Sequence, residues 1–326
     1  MGAERRASRQ RAIANAASSS TTDAPVGAVC ACCANAPPAT PTAAGTCTST
    51  TAQYSVGAPQ RPPIHHDNGF RQNPSDSDDP TPTPTTEPNL ADRASLLYWR
   101  GTLEGAEAAQ GVPYVPHNDI PDALAAYRHF LDGMGTDRTF SYERFVASDS
   151  SGAVILRNAI RDIQLCAEKF YRKMLADDPS LATRRVTFAL TGTSIPAGSG
   201  SLYPYPSTEN WQKAIGAHVI WMSGTVVVEP APCSGGGEPV LKMRTTLHAE
   251  DRYNFNPGAA DIATGTPDAA NGRFEVTGLA HQYMNYATLQ RDVTWMLGRP
   301  DAGVTARQDN SRQRQPSDNR RARNRI

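Results

Sequence analysis

The 326-residue chain has no apolar run of about 18 residues, the length a membrane-spanning helix needs. It has no excess of one charge: 32 Lys and Arg balance 32 Asp and Glu, so no net field steers it toward a polyanion and no specific nucleic-acid binding is expected. The first residues, MGAERRASRQ, are charged with no apolar stretch behind them, so a protein made in the cytoplasm without a Sec signal is expected. Export, if it occurs, then follows a signal-independent route. No G-x-S-x-G, H-E-x-x-H, P-loop or dinucleotide fingerprint occurs, which removes the motif-defined hydrolases and nucleotide enzymes. The apolar share is only 39%. Four of the six cysteines, Cys30, Cys32, Cys33 and Cys47, fall in an N-terminal low-complexity region without metal-finger spacing. Reduced, incidental thiols are expected there, and Cys166 reads as a core thiol.

The apolar deficit sits at the ends. Residues 1–89 are rich in Ala, Pro, Ser and Thr and read as disordered, because too little apolar surface is available to offset the ordering entropy. Residues 299–326 read as a disordered basic tail that can touch anionic partners. Between them the patterning divides in two. Residues 90–182 read as a helical subdomain. NDIPDALAAYRHFLDG has Asn118 or Asp119 to cap, Pro121 for the first turn and Gly133 for the stop. AVILRNAIRDIQLCAEKFYRKMLADD carries Leu156, Ile160, Ile163, Ala167, Phe170 and Met174 at steps of three and four, with Ser150 or Ser151 as cap.

Residues 183–298 read as β-rich. RRVTFALTGT alternates, and AHVIWMSGTVVVEP and PVLKMRTTLHAED pair as a hairpin across the glycine-rich PCSGGGEP. In the second strand Leu241, Met243, Thr245 and Leu247 face one way, Lys242, Arg244, Thr246 and His248 the other. GRFEVTG and TLQRDVTWML read as strands flanking a helical LAHQYMNYA. The aromatic YPYPSTENW is expected to pack over the sheet edge, and His65, His66 and His117 read as incidental or surface residues. The expected fold class is α+β: a helical N-terminal part, then a small antiparallel sheet or half-barrel, with long disordered termini.

The segment from His248 to Arg273 concentrates polar side chains after the hairpin: His248, Glu250, Asp251, Tyr253, Asn254, Asn256, Asp261, Asp268, Asn271 and Arg273. Rigid strand ends are good supports for chemistry. Dense carboxylates suit a hard divalent cation or proton transfer. The same Asp, Asn, Pro and Gly residues are also what turns require.

The run EDRYNFN after a strand, a glycine-rich turn and a second strand resembles the C-terminal activity domain of colicin M-type bacteriocins, over residues 213–260. In that family a hairpin leads into Asp-x-Tyr-Asp-Phe-Asn; Asp251, Tyr253, Phe255 and Asn256 match it. The resemblance implies a toxin that hydrolyses the pyrophosphate linkage of lipid II, a lipid-linked envelope precursor, with Mg2+ held by Asp251. It implies Asp251 and Glu250 as metal ligand or base, Tyr253 to orient the phosphate and Arg273 to balance its charge, with Asn254 within the same catalytic run. His248, Asn256 and His281 would contact substrate, and an immunity or secretion partner would accompany the toxin. Asn254 departs from the family's aspartate, and PGAADIATG stands where the family has a His-Arg pair. The pattern also resembles uncharacterised bacterial effector C-termini. The alternative expectation is a non-enzymatic binding or structural component of a secretion or effector system, with YNFNPG as a structural corner.

Overall fold

A computed structural model describes residues 38–40, 45–70, 84–232 and 237–300. The longest helix, α4 (Ser150–Asp177), follows the short α3 (Tyr142–Ser148). Its stripe Leu156, Ile160, Ile163, Ala167, Phe170 and Met174 is buried throughout. The cap is Asp149, one residue before the serines expected to serve, and its carboxylate also binds the backbone and hydroxyls of Ser207 and Thr208. One acid thereby ties the helix start to a distant loop.

The stripe lies on a mixed eight-stranded sheet, so the α+β class holds. Its strands are β1 (Thr46–Thr48), β2 (Gln53–Val56), β3 (Arg138–Thr139), β4 (Val186–Gly192), β5 (Ile195–Ala197), β6 (His218–Glu229), β7 (Val240–Tyr253) and β8 (Tyr283–Met296). The order is β1-β2-β4-β6-β7-β8-β3, with β5 on β6, and only β3 runs parallel to its neighbour. The β6–β7 hairpin forms as expected, paired from Val219–Glu250 to Glu229–Val240. Leu241, Met243, Thr245 and Leu247 turn to the α4 core while Lys242 and Arg244 meet solvent. His248 does not follow its strand's exposed side; it is buried.

A second apolar cluster joins α1 (Leu90–Ala108), α2 (Pro121–Asp132) and α6 (Ala269–Thr277) to the far end of β7 and β8. Phe130 is its centre, 0% exposed, with Phe255 and Tyr253 against it. In α2, Pro121 and Gly133 stand at the start and stop as expected, and Ile120, with no side-chain cap, takes the position expected of Asn118 or Asp119.

Several expectations are overturned. GRFEVTG lies in helix α6, because Phe274 and Glu275 must both be buried and a helix turn places them inward together with Asn271. LAHQYMNYA leads into strand β8, whose backbone completes the ladder of β7 over fourteen residue pairs. Residues 45–70 and 84–89 belong to the fold and are not disordered. Strand β2 pairs with β4, Tyr54 is fully buried, and Cys47 forms a disulfide with Cys166 of α4, 119 residues away. These two thiols are therefore neither free nor incidental. Thr51 and Tyr203 both bond Asp162 of α4 beside that bridge. The main core also runs through the boundary drawn at residue 182, since α4 and β4–β8 share it. Tyr203 and Trp211 of YPYPSTENW are packed in that core, the latter on α5 (Glu209–Ala214). The expectations for residues 1–37, 71–83 and 299–326 fall outside the described residues, except Arg299 and Pro300.

Candidate functional site

In the first half of β7 alternate residues are buried, as on a sheet with one wet face. From Leu247 to Arg252 every residue is buried. The reason is the segment after β2, which crosses the otherwise exposed face there. Ile64 is buried, Phe70 packs on Gly272 so closely that a Cβ there would meet its ring at 2.1 Å, and Gly69 turns at φ +54° beneath the carbonyl of Phe255. Each polar side chain of the hairpin end is thus enclosed on one face or the other.

Successive strand residues point to opposite faces, so Glu250 and Asp251 do not form an acid pair. Glu250 faces the crossing segment. Its carboxylate takes two charged hydrogen bonds from Arg61, 2.8 Å from Nε and 2.7 Å from Nη2, and His66 Nε2 lies 3.6 Å away. Burial alone would raise its pKa; the contacts with His66 and Arg61 outweigh burial and hold it at about 2. His66 is therefore not incidental. On the same face Arg252 is bonded to Asn68, whose carbonyl accepts from Gln282. The ring of His248 stacks on Trp221 at 3.6 Å, and its Nε2 meets Ser223 Oγ at 3.0 Å. Burial depresses this histidine to about pKa 4 against the opposing charge of Glu250.

Asp251 points to the other face, where its surroundings differ. It is 8% exposed, and its carboxyl makes no hydrogen bond to another described residue. Burial, with the charge of Asp67 added, pushes its pKa well above the carboxylate range, against the lesser pull of Arg252. Its cross-strand neighbour on β8 is Asn285, whose own neighbour on β3 is Arg138; Arg138 Nη1 donates to Asn285 Oδ1 at 3.3 Å. An acid, an amide and a guanidinium therefore stand in a row across three strands. Tyr253 and Tyr283 stack beside the row at 5.1 Å, 12° from parallel, and both phenols sense Asp251 and Arg138. Burial raises the Tyr205 phenol, with contributions from the charges of Asp251, Asp261 and Asp268, which places Tyr205 near the acid from the loop after β5. His218, the first residue of β6, is buried against Tyr142 at 3.2 Å and depressed to about pKa 4 by burial. Arg138 also lines a cleft of about 570 Å³ with Arg128, His129, Glu107 and Gln110.

The other expected site residues lie elsewhere. Arg273 on α6 binds Asp92 at 2.9 and 2.8 Å, the acid that completes the capping box of α1. Asn254 donates to the carbonyl and carboxylate of Asp67. The Asn256 amide binds Asp268 at 2.9 Å, and the His281 amide binds the carbonyl of Phe130 at 3.1 Å. All four secure loops or helix ends. Arg138, Asn285, Tyr205 and His218 escaped the sequence reading. Asn285 lay in a segment read as helix, and Arg138 lay in a two-residue strand with no local signature.

The donors expected to hold Mg2+ do not converge. Glu250 and Asp251 face opposite sides of the sheet, Glu250 is neutralised by Arg61, and Asp67 is engaged by Asn254 and the Gly69 amide. Among the described residues no group of three or more His, Cys, Asp or Glu is arranged to hold a metal. Comparison of the chain with family models, with curated proteins and with solved structures finds no match.

Proposed function

We propose that the chain is an antibacterial effector that hydrolyses a phosphoanhydride of a lipid-linked envelope precursor by acid–base chemistry centred on Asp251. One observation carries the reading. The buried Asp251 carboxyl takes no hydrogen bond from another described residue, burial pushes its pKa up, and it stands in line with Asn285 and Arg138 across three strands; a carboxyl biased toward its protonated form is what proton donation to a phosphate requires. In this mechanism Arg138 draws the phosphate toward the row and offsets its charge. Water adds to phosphorus while the bridging P–O bond breaks. The Asp251 proton passes to the leaving oxygen, and a proton of the attacking water restores the carboxyl. Asn285 keeps Arg138 oriented, and the Tyr253–Tyr283 stack walls the row from bulk water.

The competing reading, a non-enzymatic component of an effector apparatus, is favoured by Asn254 and the Asn256 backbone amide, which tie the corner to Asp67 and Asp268, and by Arg273, which secures the start of α1. Cleavage of purified lipid II by the wild type, Asp251→Asn and Arg138→Gln separates the two. The hydrolase reading expects cleavage by the wild type and losses of about a hundredfold or more in each variant. Folded wild-type protein without cleavage would leave the structural reading standing.

A further inference from the structure

Helix α1 turns Leu96 and Leu103 inward, yet its outer face is not the polar surface a solvent-facing helix normally shows. Leu90 is 84% exposed, Leu97 68% and Tyr98 67%. With Ala94, Gly101, Gly105 and Ala108 they recur at steps of three and four, so they form one stripe along the helix. The stripe is graded: its large side chains occupy the N-terminal half and its small ones the C-terminal half. Glycine inside a helix is unfavourable relative to alanine. Nothing in this fold calls for it at 101 or 105: a Cβ at either position would meet no atom within 4 Å. What glycine does allow is close approach by a second helix.

Charge follows the same gradient. Arg93 and Glu104 lie on one flank of the stripe, both are exposed, and neither joins an ion pair among the described residues. In an antiparallel helix pair equal flanks meet. Setting Leu97 against Gly101 of a second helix brings Arg93 opposite Glu104, and the two-fold axis repeats the pair on the other side. A parallel pair would set large against large and join opposite flanks. The face is therefore complementary to itself in one orientation.

We infer that α1 is a homodimer interface: two copies of the chain associate through antiparallel α1 helices, with Leu97 and Tyr98 of each seated over Gly101 of the other, and Ala94 over Gly105. This surface is separate from the Asp251 row, and the inference does not depend on the hydrolase reading.

Light scattering during size exclusion and sedimentation velocity on the full chain test it. The wild type is expected at twice the 35.0 kDa chain mass, dissociating on dilution. Gly101→Leu and Leu97→Glu should each give the single-chain mass. Both sites are exposed, so unchanged circular dichroism and Tm verify the fold. Arg93→Glu should weaken association on the order of tenfold by setting like charges opposite each other. The double variant Arg93→Glu with Glu104→Arg should restore it. A monomeric wild type at all concentrations would overturn the inference and assign the stripe to a different occupant. A dimer indifferent to Leu97→Glu, or a double variant no better than Arg93→Glu alone, would overturn it too.

Discussion

Asp251→Asn should make the protein more stable, by an amount that grows with pH. Asparagine keeps the shape of the side chain and removes its ionisation. In the native state burial and the charge of Asp67 hold the Asp251 pKa above its unfolded value. The native state therefore binds this proton where the unfolded state has lost it. The contribution of Asp251 is fully present below its unfolded pKa, near pH 4, and declines as pH rises toward the native pKa. One proton of difference corresponds to about 1.4 kcal/mol per pH unit across that window. For a fold of this size that is roughly 3 to 6 °C in Tm per pH unit. Carboxyls of opposite behaviour, such as Glu250 and Asp92, both held at about pKa 2, titrate in both proteins and cancel in the difference. Calorimetric melting of wild type and variant from pH 4 to pH 7 should give diverging curves, the variant higher. Parallel curves would mean that Asp251 is ionised and paired in the native state, and the acid role drawn from its raised pKa would fall with it. A variant that melts higher yet cleaves nothing would join stability gain to activity loss at one atom, as expected where a site is maintained at the expense of the fold.

Removing Arg61 as Arg61→Ala should cost about 2 to 3 kcal/mol, less than a fully enclosed pair because Arg61 is partly solvated. Adding Glu250→Gln should recover part of that loss in urea unfolding; equal losses in the single and double variants would contradict a buried, Arg61-dependent carboxylate. His218 and His248 are both depressed to about pKa 4, so their share of stability is present above about pH 6.5 and lost as pH falls through 4. Replacing His248 by Gln should flatten the fall of Tm between pH 6.5 and 4, and an unchanged acid limb would refute its burial as a neutral ring. The Cys47–Cys166 bridge closes a loop of 119 residues, for which chain entropy predicts about 4 to 5 kcal/mol. Reduction should lower Tm and open residues 45–70 to protease first; an unshifted Tm in reductant would show that the bridge does not carry the segment.

Where local chemistry decides, the residues alone were sufficient. The α4 stripe and the β6–β7 alternation were legible because each repeats at the period of its own element, and that period set the inward face before any partner was known. The candidate site was legible as a place and not as an arrangement. Glu250 and Asp251 are adjacent in sequence, which suggested a pair, although both stand in the strand read from PVLKMRTTLHAED, whose alternation sends them to opposite faces; the structure carries that strand on through Tyr253. The extension exists because β8 offers fourteen partners, and no residue near Asp251 announces them. Segment 45–70 is too polar to organise itself. It is ordered by contacts far along the chain: the β4 backbone, Cys166, Glu250 and Gly272. GRFEVTG has the composition of a strand, and the burial of Phe274 and Glu275 against other elements made it a helix. The sequence by itself determined which residues are apolar, at what period, and where acids, amides and turns accumulate. Tertiary structure decided which acid pairs with Arg61 and which burial pushes toward its protonated form, because desolvation and partner charge depend on neighbours that only the folded chain brings together.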